Sequence, residues 1–148
     1  MPRKATTATL VQSLARAEAI RLRDAFAAAG LTGLRTAHAL LLVPLAEGDR
    51  HASDLAAHLG VSRQAMAQMI ATLERNGYLE RRLDPSDGRA KLIGLTARGR
   101  EAREVMNTTG RAIDSDWEKV LGGSRLVELR ESVRQLLDAE RPAASPRP

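Results

Sequence analysis

Five side chains early in one helical stretch carry the most telling chemistry of this chain: Ser62, Arg63, Gln64, Ala67 and Gln68. Arginine can donate two parallel hydrogen bonds to guanine O6 and N7, and glutamine can pair with adenine N6 and N7. Alanine leaves room for a thymine methyl or for close approach. A serine at a helix start can hold a phosphate beside the backbone N–H groups there. A second group follows at Asp87, Arg89 and Lys91, in a turn-rich segment. An arginine at a hairpin tip suits a narrow minor groove, whose negative potential attracts it. Arg81 and Arg82 come just before and suit phosphate contact or plain solubility. Taken singly, these residues equally describe a solvated helix face and a surface ion pair in a turn. The elements that carry them must decide.

Met66, Met69, Ile70 and Leu73 fall at i, i+3, i+4 and i+7 and predict a helix with that face buried and the polar five opposite. Asn76-Gly77 ends it, with Gly77 suited to a left-handed C-terminal cap. Two strand-like segments, Tyr78–Asp84 and Lys91–Leu95, flank a tip formed by Pro85–Ala90. Upstream, Ser53 is expected to cap a short helix over Asp54–Leu59, with Leu55, Ala56 and Leu59 inward and Asp54 near the positive end of the dipole. Gly60 closes that helix and Ser62 caps the next. A short helix, a glycine turn, a second amphipathic helix and a basic hairpin make the outline of a winged helix-turn-helix.

The flanks have a different character. Residues 1–8 lack periodicity and are expected to form a flexible arm, with Arg3 and Lys4 solvated. Thr9 is expected to cap a helix to about Ala29, with Leu10, Leu14, Ala17 and Ile20 on one side. Leu31–Ala46 reads as a buried second helix that Pro44 must kink or end. Ala46–His51 is a loop from which a residue or two could pair onto the hairpin as a third strand. Thr96 starts a long helix to about Leu121, Gly122-Gly123-Ser124 breaks it, and Arg125–Glu140 sets Leu126, Leu129, Val133, Leu136 and Leu137 on one stripe. Residues 141–148 are expected to be disordered. The first and last helices have little to bury these stripes against except a second copy of the chain, in a two-fold dimer. The fold expected is mainly α with a small β wing. Residues 9–30 and 97–140 are the dimerisation helices, and 31–96 are the winged region.

Composition excludes more than it proves. The 148 residues suffice for one domain, with a net charge of +5, and 20 of the 23 basic residues are arginine. That favours a polyanionic partner, although arginine and alanine enrichment also follows from a GC-rich genome. There is no cysteine, hence no disulfide, thiolate metal site or thiol sensor. The longest apolar run, Ala39–Ala46, is too short for a bilayer, and the N-terminus lacks a signal-peptide pattern, so the expected location is the cytoplasm. His38, His51 and His58 have no nucleophile motif beside them, so neither an enzyme nor a cofactor is expected. His51, Asp54 and His58 could share a face as metal ligands only if their helix began early; exposed polar residues are the plainer reading.

The runs Ser53–Ser62 and Leu73–Arg82, the wing pattern D-x-x-D-x-R-x-K over Asp84–Lys91, and L-T-x-x-G over Leu95–Gly99 together resemble the MarR family of bacterial transcription regulators. The resemblance runs from about Leu10 to Leu137. It implies a homodimer of intertwined terminal helices, with two winged domains on a pseudo-palindromic double-stranded DNA operator. It also implies an Asp87 that braces the Arg89 guanidinium, and a repressor released by a small-molecule effector. An activator is the alternative within the family, and a winged helix used for protein contact is the alternative outside it. Pro44 and His38 depart from the family pattern where an effector pocket would lie. His38 and Trp117 are the candidate pocket residues, with core packing as the plainer reading of both.

Overall fold

The computed structural model describes residues 5–141; residues 1–4 and 142–148, and with them Arg3, Lys4 and most of the expected tail, lie outside the described residues. Seven helices and two strands follow in the order α1 (Thr7–Ala28), α2 (Thr36–Ala39), α3 (Leu42–Leu45), α4 (Ala52–Leu59), α5 (Arg63–Arg75), β1 (Leu79–Asp84), β2 (Asp87–Leu95), α6 (Ala97–Leu121) and α7 (Gly123–Glu140). The mainly α chain with one small antiparallel hairpin is the expected winged helix-turn-helix.

Several boundaries move, each for a local reason. The cap of α1 is Thr6, whose hydroxyl accepts from the Thr9 N–H at 3.2 Å, so Thr9 lies inside the helix and the expected arm is already helical from Thr7. The expected Leu31–Ala46 helix is two short ones. Pro44 lacks an N–H for the Leu40 carbonyl, which instead accepts from Val43, and the chain breaks at Leu40-Leu41. Ser53 is not a cap either: α4 starts at Ala52, with His51 at the N-cap. α7 starts at Gly123, two residues earlier than expected, after a break at Gly122 alone.

The core is one cluster built from α1 to α6 and the hairpin. Phe26, Leu41, Leu42, Leu55, Met66, Ile70, Leu73, Tyr78 and Ile93 are fully buried in it. Tyr78 is its polar anchor. The hydroxyl donates to the Thr32 carbonyl at 2.6 Å, and the Arg98 guanidinium lies 4.9 Å from the ring centroid. The L-T-x-x-G run acquires a physical meaning here. Thr96 caps α6 by accepting from the Gly99 N–H at 3.0 Å, and its hydroxyl donates to the Gly77 carbonyl. A Cβ on Gly99 would stand 2.1 Å from the Tyr78 carbonyl oxygen, so only glycine lets α6 seat against the root of the wing.

The outer helices leave their stripes uncovered. On α1 only Phe26 is buried, while Leu10, Val11, Leu14 and Ile20 are exposed. On α7 only Leu126 is buried, and Leu136 and Leu137 stand 60% and 61% exposed.

Candidate nucleic-acid interface

The helix α4, the turn at Gly60 and the helix α5 form the core of the interface. Gly60 adopts φ +65°, a left-handed conformation that costs glycine least, and this turns the chain sharply between the helices. Ser62 caps α5, its hydroxyl accepting from the Ala65 N–H at 3.0 Å. Its own O–H proton remains available to donate to a phosphate oxygen. Met66, Ile70 and Leu73 are buried and Met69 is partly so, as their spacing requires. The opposite face is open: Ser62, Arg63, Gln64, Ala67 and Gln68 are all exposed. Ala52, Ser53 and Arg63 line a cleft of about 260 Å³ where the starts of α4 and α5 meet. Ser53, expected as a cap, is therefore a cleft residue beside Arg63.

The wing differs from its expected form. The turn is Pro85-Ser86 alone: β1 ends at Asp84 as expected, and β2 starts at Asp87 instead of Lys91. Leu83 pairs with Lys91 and Asp84 with Asp87, so Gly88, Arg89 and Ala90 have no partner on β1 and form a bulge. Arg89 is exposed on that bulge. Asp87 accepts the backbone N–H of Arg89 at 3.1 Å, so in the DNA-free chain it holds the bulge's backbone and not the guanidinium. The expected third strand is present as a single bridge, with Arg50 and Ile93 exchanging backbone hydrogen bonds of 3.0 and 2.7 Å.

Ion pairs sort the basic residues. Arg82 is fully engaged: both Asp49 carboxylate oxygens at 2.9 Å, Glu80, and the Leu95 carbonyl at 3.1 Å. Glu80 first and Asp49 next raise its pKa. Arg81 pairs with Glu74 of α5 at 3.2 Å. Arg63, Arg89 and Lys91 form no ion pair among the described residues. Of the five basic residues expected at the interface, those at the start of α5 and along the bulge are thus free of carboxylates, and Arg81 and Arg82 at the hairpin root are engaged by the fold.

Trp117 lines an apolar groove of about 390 Å³ between α1, α6 and α7, with Leu14, Leu126 and Val133 among its walls. His38 is not among the residues of that groove, so the two candidate pocket residues do not share it. His38 sits half-buried on α2, its Nδ1 buried without a hydrogen-bond partner; burial, and then Arg35, lower its pKa.

An exposed polar face on the second helix and a wing with unpaired cations define the winged helix-turn-helix class of protein. Over residues 29–90 the chain matches the MarR family model. It is similar to the transcriptional regulator HosA of Escherichia coli O111:H-, with 27% identity over 78 residues, 53% of this chain and 58% of HosA. It is also similar to the transcriptional activatory protein BadR of Rhodopseudomonas palustris, with 32% identity over 84 residues, 57% of this chain and 47% of BadR. The chain therefore spans about half the length of the curated relatives it matches. Among solved structures, Sco3205, a MarR family transcriptional regulator from Streptomyces coelicolor in complex with DNA, superposes with a TM-score of 0.68. That match covers 99% of this chain and 96% of Sco3205 at 24% identity, which shows the shared fold. No helix among the described residues is long and apolar enough to cross a membrane.

Proposed function

We propose that this chain is a sequence-specific double-stranded DNA-binding transcriptional regulator that acts as a homodimer on a pseudo-palindromic operator. One observation carries the reading. The exposed face of α5 and the wing bulge hold Arg63, Arg89 and Lys91 without carboxylate partners, while the cations beside them are neutralised. A protein-docking winged helix has no need of unpaired arginine at both places. In this reading α5 enters the major groove. Arg63, Gln64 and Gln68 reach base edges, Ala67 gives clearance, and Ser62 and the Ser53–Arg63 cleft seat phosphate. Arg89 enters the adjacent minor groove, on a backbone that Asp87 holds. Lys91 adds phosphate contact from β2. Arg81 could do so only by releasing Glu74.

The second copy covers the exposed stripes of α1 and α7. The regulator is a repressor released by a small-molecule effector, which would act by favouring a spacing of the two α5 helices that DNA cannot accept. His38 and Trp117 remain the candidate contact residues for that effector, at separate places. Similarity to BadR, whose name is that of an activator, favours activation as the second reading. The test is the affinity for duplex DNA as a function of salt. Log K should fall by about 0.9 per unit log salt for each phosphate neutralised. A chain that stays monomeric and shows no affinity for any duplex in dilute buffer overturns the proposal.

A further inference from the structure

We propose that the His51–Asp84 pair is a strut that sets the wing arginine relative to α5 and so holds Arg89 where it can grip DNA. The inference rests on the DNA-binding reading above and goes beyond it by naming what aligns the two contact elements.

Asp84 closes β1 and is the buried charged residue among the described residues, 8% exposed. Its two oxygens have separate tasks. Oδ1 accepts the Ser86 N–H at 2.9 Å and the Ser86 hydroxyl at 2.7 Å, which shapes the Pro85-Ser86 turn. Oδ2 faces His51 Nε2 at 3.0 Å. His51 is the N-cap of α4, and its carbonyl accepts from the N–H groups of Asp54 and Leu55, both at 3.1 Å. The residue before it, Arg50, makes the backbone bridge to Ile93.

The helix-turn-helix and the loop that leads into it are therefore tied to the wing at two heights. Arg81–Glu74, Arg82–Asp49 and the Arg50–Ile93 bridge hold the root. Among the described residues, His51–Asp84 is the outermost tie, and the bulge bearing Arg89 begins just past the turn it anchors. Without it the tip could swing while the root stayed paired, and the reach from α5 to Arg89 would no longer be set.

The charged groups around the pair are accounted for. Arg50 is engaged by Glu47, Arg82 by Asp49 and Glu80, and Arg81 by Glu74. The helix α4 adds Asp54 and His58, and the hairpin adds Asp87, Arg89 and Lys91. The Ser86 hydroxyl and N–H first, then the His51 charge, hold the Asp84 carboxyl below the usual carboxylate range. Its carboxylate thus stays an acceptor for the His51 Nε2–H 3.0 Å away.

The test uses the duplex that wild-type protein enriches most from random DNA. Wild type, His51→Ala, Arg89→Ala and the double variant are titrated against it at one pH and one salt concentration. The His51 side chain makes no cap bond to α4, so alanine removes its tie to Asp84 and leaves the helix start in place, and thermal unfolding confirms that each variant folds. His51→Ala should bind about three- to fivefold more weakly than wild type, as suits a partly exposed pair. The double variant should bind no worse than Arg89→Ala alone, because His51 acts through Arg89. A His51→Ala variant with wild-type affinity, or losses that add in full, overturns the strut. Wild type that enriches no duplex overturns the DNA-binding reading instead.

Discussion

Arg89→Ala separates a DNA contact from a structural one more sharply than any other substitution. The Arg89 side chain is exposed and makes no hydrogen bond or ion pair among the described residues; the only bond there is from its backbone N–H to Asp87, and alanine keeps it. The cost to folding should therefore stay within about 0.5 kcal/mol. A groove-inserted arginine is worth about 1–3 kcal/mol per contact. A two-fold dimer makes the contact twice, so even the low end sums to about 2 kcal/mol, or roughly thirtyfold in affinity. The assay is fluorescence anisotropy on a labelled operator duplex at fixed salt, beside thermal unfolding and sedimentation of the same preparations. The expected result is a roughly thirtyfold or greater loss of affinity with unchanged melting and unchanged oligomeric state. Binding within about twofold of wild type would refute the wing assignment.

Three further outcomes follow from the packing. Gly99→Ala would set a Cβ 2.1 Å from the Tyr78 carbonyl oxygen and force α6 off the wing root; a loss of about 2–3 kcal/mol is expected, read as a melting midpoint lowered by about 6 °C or more, and an unchanged melt would contradict that seat. Leu136→Asp with Leu137→Asp changes residues 60% and 61% exposed in one chain; sedimentation should show monomers, and a dimer that persists would place the interface elsewhere. His38 has its pKa lowered from 6.5 by burial and then by Arg35. The unfolded chain takes up that proton first, so stability should be full above about pH 6.5 and decline as pH falls through the lower folded value. His38→Gln should flatten this part of the stability-against-pH curve, and a curve identical to wild type would refute it.

Features set by local rules were readable from the residues. The α5 period, the Ser62 cap, the Gly60 turn, the Gly77 exit and the Thr96 start need only neighbours within a turn or two, and each is found in place. Pro44 signalled a break but not its form, because the split into α2 and α3 depends on which N–H takes the Leu40 carbonyl. Capping by Ser53 and Thr9 failed because His51 and Thr6 start their helices earlier. What stayed hidden is long-range. That Arg82 is bound by Asp49, Arg81 by Glu74 and Asp84 by His51 depends on the register of the hairpin against α4 and α5, which no spacing along the chain reports. The same register lifts Gly88–Ala90 into a bulge and so places Arg89. The only sign along the chain was the excess of turn-forming residues between Asp84 and Lys91.

Selection of bound duplexes from random DNA tests the central claim most directly, because it asks at once whether the chain reads sequence and whether two copies read together. The expected product is a two-fold symmetric motif with half-sites about one helical turn apart, centred on a narrow A·T-rich minor groove near each wing. Recovery of no enriched sequence, or of an asymmetric single site bound by one chain, would contradict it.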